Sequence, residues 1–125
     1  METIKSFFFD TCALFEIILG NPKYNLYTSD VSVVTTKLNL MELHYSLLRT
    51  SGKEKADFYF DFFNEFCVKY NDDIVKEANE LKLNLNKRDL SYVDCIGYIL
   101  AKRLGIKFLT SDGQFKDMDN VEFVI

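Results

Sequence analysis

Residues 5–14 have the sequence KSFFFDTCAL, in which a short apolar run rich in phenylalanine stops at Asp10. The run predicts a β-strand over Lys5–Phe9, followed by a helix over residues 12–19. Its residues are apolar one after another instead of alternating with polar ones, which is typical of a strand buried on both faces. Strands of that kind belong to parallel sheets that helices cover on both sides.

The rest of the chain continues this alternation of strands and helices. Four more strands are predicted, which makes about five in all: Val31–Val34, a short alternating segment with Phe66, Val68 and Tyr70, residues 106–109 and residues 121–125. Helical spacing of leucines and isoleucines, with capping residues and glycine stops, predicts helices between them. The expected fold is an α/β fold with three layers (α/β/α) and a mostly parallel central sheet, formed by a single domain over residues 1–125.

Composition limits the classes of protein to which the chain can belong. It has 125 residues, 48% apolar and 27% charged, which suits one packed domain and excludes a disordered chain. No apolar run approaches the roughly 20 residues of a membrane-spanning helix, and the beginning of the chain shows no secretion signal. Three scattered cysteines indicate a reducing compartment, so we expect a cytoplasmic protein. A single histidine makes a histidine-rich metal site or a Ser-His-Asp triad hard to assemble.

Four acidic side chains follow strands or begin helices. Asp10 follows the first strand, and Asp112 follows the strand over residues 106–109. Glu42 and Asp94 are expected in the first turns of two helices, and such turns open toward the same edge of a parallel sheet. Carboxylates that lie close together repel one another, so a cluster of four favours a bound cation. Oxygen ligands without cysteine or histidine favour Mg²⁺ or Mn²⁺, which activates water and stabilises charge on a phosphoryl group.

Three of these acids also have a purely structural explanation. Glu42 with Asn39, and Asp94 with Ser91, match a helix capping box or its acidic variant. Asp112 suits a turn. The acid after the first strand has no evident structural role in the sequence, and the set of four favours a functional site more than any one member does.

Two further residues are weaker candidates. His44 is expected to be a surface or partly packed histidine, without a catalytic role. Asp117 suits a turn and is a reserve metal ligand. The net charge of −4 argues against unspecific binding of polyanions, but it becomes zero when the four acids of the proposed site are left out of the count.

Four blocks of sequence, in chain order, resemble the motifs of PIN-domain nucleases. They are residues 8–14 (FFDTCAL), residues 40–43 (LMEL), residues 90–94 (LSYVD) and residues 105–112 (GIKFLTSD), the last followed by Phe115. The segment over residues 121–124 resembles the closing strand of that family. The resemblance covers residues 6–125 and implies a PIN-like fold.

The resemblance also implies an activity, a site and partners. The catalytic and metal-binding acids would be Asp10, Glu42, Asp94 and Asp112, with Thr11 and Thr110 as hydroxyls that orient the site or the substrate. The short length is most similar to VapC-type toxins of toxin–antitoxin pairs, which are Mg²⁺- or Mn²⁺-dependent endoribonucleases. Their RNA substrate, an antitoxin protein and a second copy of the chain would be the partners. An RNA-processing or catalytically degenerate PIN domain, which binds RNA or protein, is the alternative.

Other classes with a similar sheet fit the sequence less well. A receiver domain needs an acidic pair after the first strand, where Asp10 is followed by Thr11. A phosphatase of the haloacid dehalogenase type needs Asp-x-Asp there, but position 12 is Cys12. Cys12 and Cys95 are also the two departures from the PIN pattern, and neither removes an acid.

The helix predicted over residues 53–65 is crowded with aromatic residues. On a helical period, one stripe would contain Phe58, Tyr59, Phe62, Phe63 and Phe66. Phe60 falls outside that stripe, so we expect it either to be a single stray aromatic or to lie on a surface that a second copy or an antitoxin helix covers.

Overall fold

The computed structural model describes residues 4–125 of the chain. The strands are β1 (Lys5–Phe9), β2 (Val31–Val34), β3 (Lys107–Thr110) and β4 (Val121–Phe123). The helices are α1 (Thr11–Ile18), α2 (Lys37–Ser51), α3 (Lys53–Asn64), α4 (Asp72–Asn84) and α5 (Tyr92–Leu104), with 3₁₀ turns at Pro22–Tyr27 and Gly113–Phe115. Residues 1–3 of the predicted single domain lie outside the described range. None of the helices between residues 4 and 125 is long and apolar enough to cross a membrane.

All strand pairings in the sheet are parallel, and the strand order is β2-β1-β3-β4. The predicted parallel α/β fold is confirmed, but the described residues form four strands in this sheet instead of about five. The segment predicted as a strand around Phe66 makes only one isolated bridge, between Cys67 and Thr35. A longer ladder does not form because Thr36, the next residue, already caps the beginning of α2.

The three phenylalanines of β1 alternate between two hydrophobic cores. Phe7 and Phe9 pack in one core with residues of α1, α2 and α3. Phe8 packs in the other core with residues of α4 and α5. A strand that is apolar at every position therefore lies between two helical layers, as its sequence predicts.

The aromatic stripe of α3 is displaced from the predicted position. Phe58 and Phe62 are exposed, by 61% and 49%, whereas Phe60 is half-buried against the core and the His44 ring. The reason is Ala56, which is fully buried. Phe60 and Phe63 follow it at helical spacing, so these three residues form the face of α3 that contacts the core. The prediction that Phe60 is the exposed aromatic is wrong.

Gly97 allows α5 to approach the sheet closely. A Cβ atom at this position would lie 2.7 Å from Cε1 of Phe8 and 3.2 Å from Cε1 of Phe108. Both rings are fully buried and stack on each other, with ring centroids 5.7 Å apart. The packing of α5 on the two central strands therefore has no room for a side chain here.

We expect Gly97→Ala to lower the free energy of unfolding by about 1–3 kcal/mol, because the extra methyl group displaces buried rings. Helix propensity alone would give the opposite sign, since alanine is favoured over glycine by about 1 kcal/mol. Urea denaturation measures the change. Gly113→Ala is the control, because no atom lies within 4 Å of its added Cβ. A stabilised Gly97→Ala variant would contradict this packing.

Candidate active site

The carboxyl ends of β1 and β3 form the centre of the candidate site. The strand order reverses here, since β2 pairs with one side of β1 and β3 pairs with the other. Open parallel sheets bind ligands at such a position, beyond the carboxyl ends of the strands. The backbone N–H of Asp10 donates to the carbonyl of Leu109 at 3.3 Å, so Asp10 lies beside Thr110 where the two strands end.

Asp10 is almost fully buried, with 3% of its surface exposed. Its Oδ1 accepts a hydrogen bond from the backbone N–H of Ala13 at 2.7 Å, which makes it the N-cap of α1. The expectation that this acid lacks a structural role is therefore wrong. Burial raises the pKa of Asp10 from 3.8 to about 7, although the Thr110 hydroxyl and the Ala13 amide lower it. The negative charges of Asp94 and Asp112 raise this pKa as well.

Asp94 lies in the first turn of α5, and its predicted capping box with Ser91 is confirmed. The Asp94 backbone N–H donates to the Ser91 hydroxyl at 3.0 Å, and Oδ2 of Asp94 accepts from the Ser91 backbone N–H at 2.9 Å. Burial raises the pKa of Asp94, and the hydrogen bonds with Ser91 oppose that effect. The charges of Asp112 and Asp89 raise this pKa too, so Asp94 has two acidic neighbours.

Asp112 follows β3 and begins the 3₁₀ turn Gly113–Phe115. Its Oδ1 accepts from the backbone N–H of Gln114 at 2.9 Å, which confirms the turn. Its own backbone N–H donates to the hydroxyl oxygen of Thr110 at 3.0 Å. Thr110 is fully buried and so fixes the path of the chain between β3 and this acid.

Glu42 lies in the second turn of α2 and not in the first, because Thr36 is the N-cap and the helix begins at Lys37. The capping box of Asn39 with Glu42 is therefore absent from the observed N-cap. A chain of hydrogen bonds reaches Glu42 instead. The Thr36 hydroxyl donates to Oδ1 of Asn39 at 2.6 Å, and Nδ2 of Asn39 donates to Oγ1 of Thr11 at 3.2 Å. The Thr11 hydroxyl then donates to Oε1 of Glu42 at 2.7 Å.

This chain of hydrogen bonds orients Glu42 and stabilises its charge. Burial raises the pKa of Glu42, the Thr11 hydrogen bond lowers it, and the charge of Asp94 raises it. The sequence does not single out Thr36, and it predicts Asn39 only as a cap. The contacts between Thr11 and α2 join residues 28 and 31 positions apart, so no local pattern could have revealed them.

The four carboxylates act on one another electrostatically, but they do not form a closed cage. Each has one oxygen that accepts a hydrogen bond from a backbone N–H or a hydroxyl. Within residues 4–125, no three Asp, Glu, His or Cys side chains lie close enough together to enclose a metal ion as they stand. The donor set, carboxylate oxygens alone, fits a hard cation such as Mg²⁺ or Mn²⁺ in its chemistry.

Two other polar groups lie beside this edge of the sheet. Sγ of Cys12 and Oγ of Ser111 are 3.0 Å apart and join the beginning of α1 to the segment after β3. Burial raises the pKa of the Cys12 thiol, which disfavours a thiolate nucleophile. Among the described residues, the Tyr24 hydroxyl is buried without a hydrogen-bond partner, and burial raises the pKa of Tyr24 strongly.

The two weaker candidates each pair with a charged side chain. Nε2 of His44 lies 2.8 Å from Oδ1 of Asp57 on α3, in agreement with a partly packed histidine. Asp117 accepts hydrogen bonds from Arg88 at 2.7 and 3.0 Å, one for each carboxylate oxygen. Its pKa is lowered, mainly by that hydrogen bonding. The pairing with Arg88 explains Asp117 without a metal.

Comparison with known proteins agrees with this architecture. The family model for the PIN domain matches residues 7–121. The chain belongs to the PIN domain family. This confirms the resemblance drawn from the four sequence blocks. No curated protein sequence matches significantly.

Several solved structures share the fold across nearly the whole chain. Mycobacterium tuberculosis VapC20, described as a sarcin–ricin loop cleaving toxin, has 23% identity and a TM-score of 0.75, covering 95% of this chain and 99% of that one. A chain of a toxin–antitoxin complex from Klebsiella pneumoniae has 15% identity and a TM-score of 0.72, covering 94% and 97%. VapBC2 from Rickettsia felis, bound to a DNA fragment from its promoter, has 16% identity and a TM-score of 0.69, covering 94% and 96%.

We expect Asp10→Asn to stabilise the metal-free PIN domain increasingly as the pH rises. Asp10 keeps its proton in the folded state up to about pH 7, whereas an ordinary aspartate loses it near 3.8. The free energy of unfolding of wild type therefore falls as the pH rises between these two values. Asparagine does not titrate and can still cap α1, so the variant avoids this loss. The gain should reach up to about 4 kcal/mol at pH 8.5, since each pKa unit corresponds to about 1.4 kcal/mol.

Urea denaturation in EDTA at pH 5 and pH 8.5 measures this gain. Asp61→Asn, on the exposed surface of α3, is the control for the loss of one negative charge. The free energies of unfolding of Asp10→Asn and wild type should differ more at pH 8.5 than at pH 5. An equal difference at both pH values would contradict the burial of a charge at position 10.

Proposed function

We propose that this PIN domain is a divalent-cation-dependent endoribonuclease that hydrolyses phosphodiester bonds of RNA. The observation that carries the proposal is the placement of four carboxylates, from four separate parts of the chain, around the point where the strand order reverses. Bringing such carboxylates together costs free energy, because ionised groups of the same sign repel one another. A cation would remove that repulsion, and the site has carboxylate oxygens to bind it.

The proposed ligands of Mg²⁺ or Mn²⁺ are Asp10, Glu42, Asp94 and Asp112. When bound in such a site, a cation of this kind activates water and stabilises negative charge on the phosphoryl group. The chain's own hydroxyls hold the ligands in position: Thr11 donates to Glu42, and Thr110 accepts from the backbone of Asp112. The only histidine, His44, pairs with Asp57, so it supplies no base to the four acids in this conformation.

RNA is the proposed substrate class, and a toxin–antitoxin pair is the proposed biological setting. The support is the PIN family match, together with the VapC20 fold, whose description names cleavage of the sarcin–ricin loop. We further propose an antitoxin partner, since structural neighbours occur in toxin–antitoxin complexes. We also propose a cytoplasmic location, on the ground of the three scattered cysteines. Co-purification with the product of an adjacent small reading frame tests the antitoxin.

We expect Asp94→Asn to reduce RNA cleavage about a hundredfold or more, because it removes a ligand charge at nearly constant shape. Asparagine still has an oxygen that can accept the capping hydrogen bond from Ser91, so the fold should persist. Total RNA and a sarcin–ricin loop oligonucleotide, each with Mg²⁺ or Mn²⁺, are suitable substrates.

Asp89→Asn is the matched control for that variant. It removes one negative charge from a residue that also raises the pKa of Asp94. Asp89 lies on the exposed loop before α5 and is not one of the four proposed ligands. This variant should keep most of the activity. Full cleavage by Asp94→Asn, or cleavage by wild type that continues in EDTA, would overturn the proposed mechanism.

We also propose that the exposed aromatics of α3 contact a second copy of the chain. The rings of Phe58 and Phe62 stack with centroids 6.5 Å apart and planes inclined by 2°. A groove of about 410 Å³ beside them is lined by Phe58, Tyr59, Glu54 and Lys55. Glu54 and Lys55 carry opposite charges side by side. Such a pair suits a symmetric dimer, because the surface faces a copy of itself and must be complementary to itself. Exposed apolar surface of this kind often marks an interface.

Sedimentation equilibrium tests this dimer. Wild type should be dimeric at tens of micromolar, and the double variant Phe58→Glu/Phe62→Glu should be monomeric, because burying two added carboxylates at the interface is costly. Leu26→Glu, at a residue that is 81% exposed in a 3₁₀ turn, should remain dimeric. A monomeric wild type or a dimeric double variant would contradict the assignment.

A further inference from the structure

A polar cleft opens beside the beginning of α5 and is not part of the acidic site. Its volume is about 420 Å³, and it is lined by Asn79, Lys82, Leu83, Asn86, Arg88 and Tyr92. The lining contains no acid and two cations, Lys82 and Arg88, of which Arg88 pairs with Asp117 outside the lining. A cationic cleft on an acidic protein is a candidate binding site for an anion such as a nucleic acid backbone.

Tyr92 presents an aromatic ring to this cleft. Its surface is 64% exposed, and Nζ of Lys82 lies 4.9 Å from the ring centroid. The ammonium group of Lys82 also donates to the carbonyl of Leu90 at 2.5 Å, so the cation is held in place. The ring therefore has a fixed cation on one side and much of its surface open to solvent.

The cleft and the acidic site share the loop that precedes α5. Nη1 of Arg88, in this loop, donates to the carbonyl of Gln114 at 2.6 Å. The backbone N–H of Gln114 donates to Asp112, one of the four acids. The same loop ends at Ser91, whose backbone N–H donates to Oδ2 of Asp94. The cleft and the acidic site therefore adjoin at this loop and at the first turn of α5, which contains both Tyr92 and Asp94.

We propose that this cleft binds a nucleoside of single-stranded RNA next to the cleaved phosphate. The base stacks on Tyr92, and Lys82 contacts the adjacent phosphate. Asn79 and Asn86 supply amide groups that can hydrogen-bond to base edges. Aromatic stacking of this kind binds single strands, and the Lys82 ammonium group offsets part of the repulsion between the RNA backbone and the four acids. This inference rests on the proposed ribonuclease function.

The test measures binding separately from cleavage. In the Asp94→Asn background with Mg²⁺, fluorescence anisotropy of a labelled eight-nucleotide single-stranded RNA gives Kd. Tyr92→Ala should raise Kd about tenfold or more, and Tyr92→Phe, which retains a ring, should stay within about twofold. Tyr45→Ala is the matched control, because Tyr45 is 62% exposed and has the Arg49 guanidinium 5.8 Å from its ring centroid. Its Kd should not change.

A second variant tests the cation of the cleft. Lys82→Gln should reduce the slope of log Kd against log salt by about one, as expected for the loss of one phosphate contact. Thermal melting of each variant checks that the fold is retained. No RNA binding by the parent, an unchanged Kd for Tyr92→Ala, or an equal loss for Tyr45→Ala would overturn the inference.

Cleavage by the chain with a native Asp94 separates this inference from the function on which it rests. If that chain cleaves RNA while Tyr92→Ala binds as tightly as its parent, the cleft is wrong and the ribonuclease function stands. If binding depends on Tyr92 but that chain cleaves no RNA with Mg²⁺ or Mn²⁺, the nuclease proposal fails and the cleft stands as a site for single-stranded RNA.

Discussion

The parallel pairing of β1 with β3 is the constraint on which the rest of the structure depends. It joins two strands that lie about a hundred residues apart in the chain and stacks Phe8 on Phe108 between them and α5. The close approach at Gly97 then fixes α5 on the sheet. Because both strands run in the same direction, the segments after them meet at one edge, and Asp10 and Asp112 meet with them. The hydrophobic core thus determines where the charged groups lie.

The structural and functional explanations of the acids are not alternatives. Asp10, Asp94 and Asp112 each use one carboxylate oxygen to cap the beginning of a helix or turn, as a purely structural acid would. The cap limits the rotation of the carboxylate and so orients its other oxygen. The cost is visible in the raised pKa of Asp10 and of Asp94, for which burial is the main cause. A fold that needed only an N-cap at position 10 would be more stable with asparagine, which does not titrate. The charge of Asp10 is therefore an argument for a functional role.

Much of this arrangement could be predicted from the sequence, because local patterns determine it. The apolar run of β1, the capping box of Ser91 with Asp94 and the glycine after α5 each lie within a few residues. The predictions that are wrong depend on contacts between residues far apart in the sequence. The segment around Phe66 has the pattern of a strand but meets only Thr35. The face of α3 depends on Ala56 packing against the core, and the support of Glu42 by Thr11 and Asn39 depends on how α1 meets α2. The spacing of apolar residues along the sequence does not predict such long-range contacts.

Binding of a divalent cation by the four carboxylates around the ends of β1 and β3 is tested most directly by anomalous diffraction from crystals grown with Mn²⁺ at pH 8. We expect an anomalous peak coordinated by Asp10 and at least one other of the four acids, with the side chains drawn closer together than in the metal-free arrangement. A fully occupied Mn²⁺ elsewhere, such as at His44 and Asp57, with none at this edge of the sheet would contradict it.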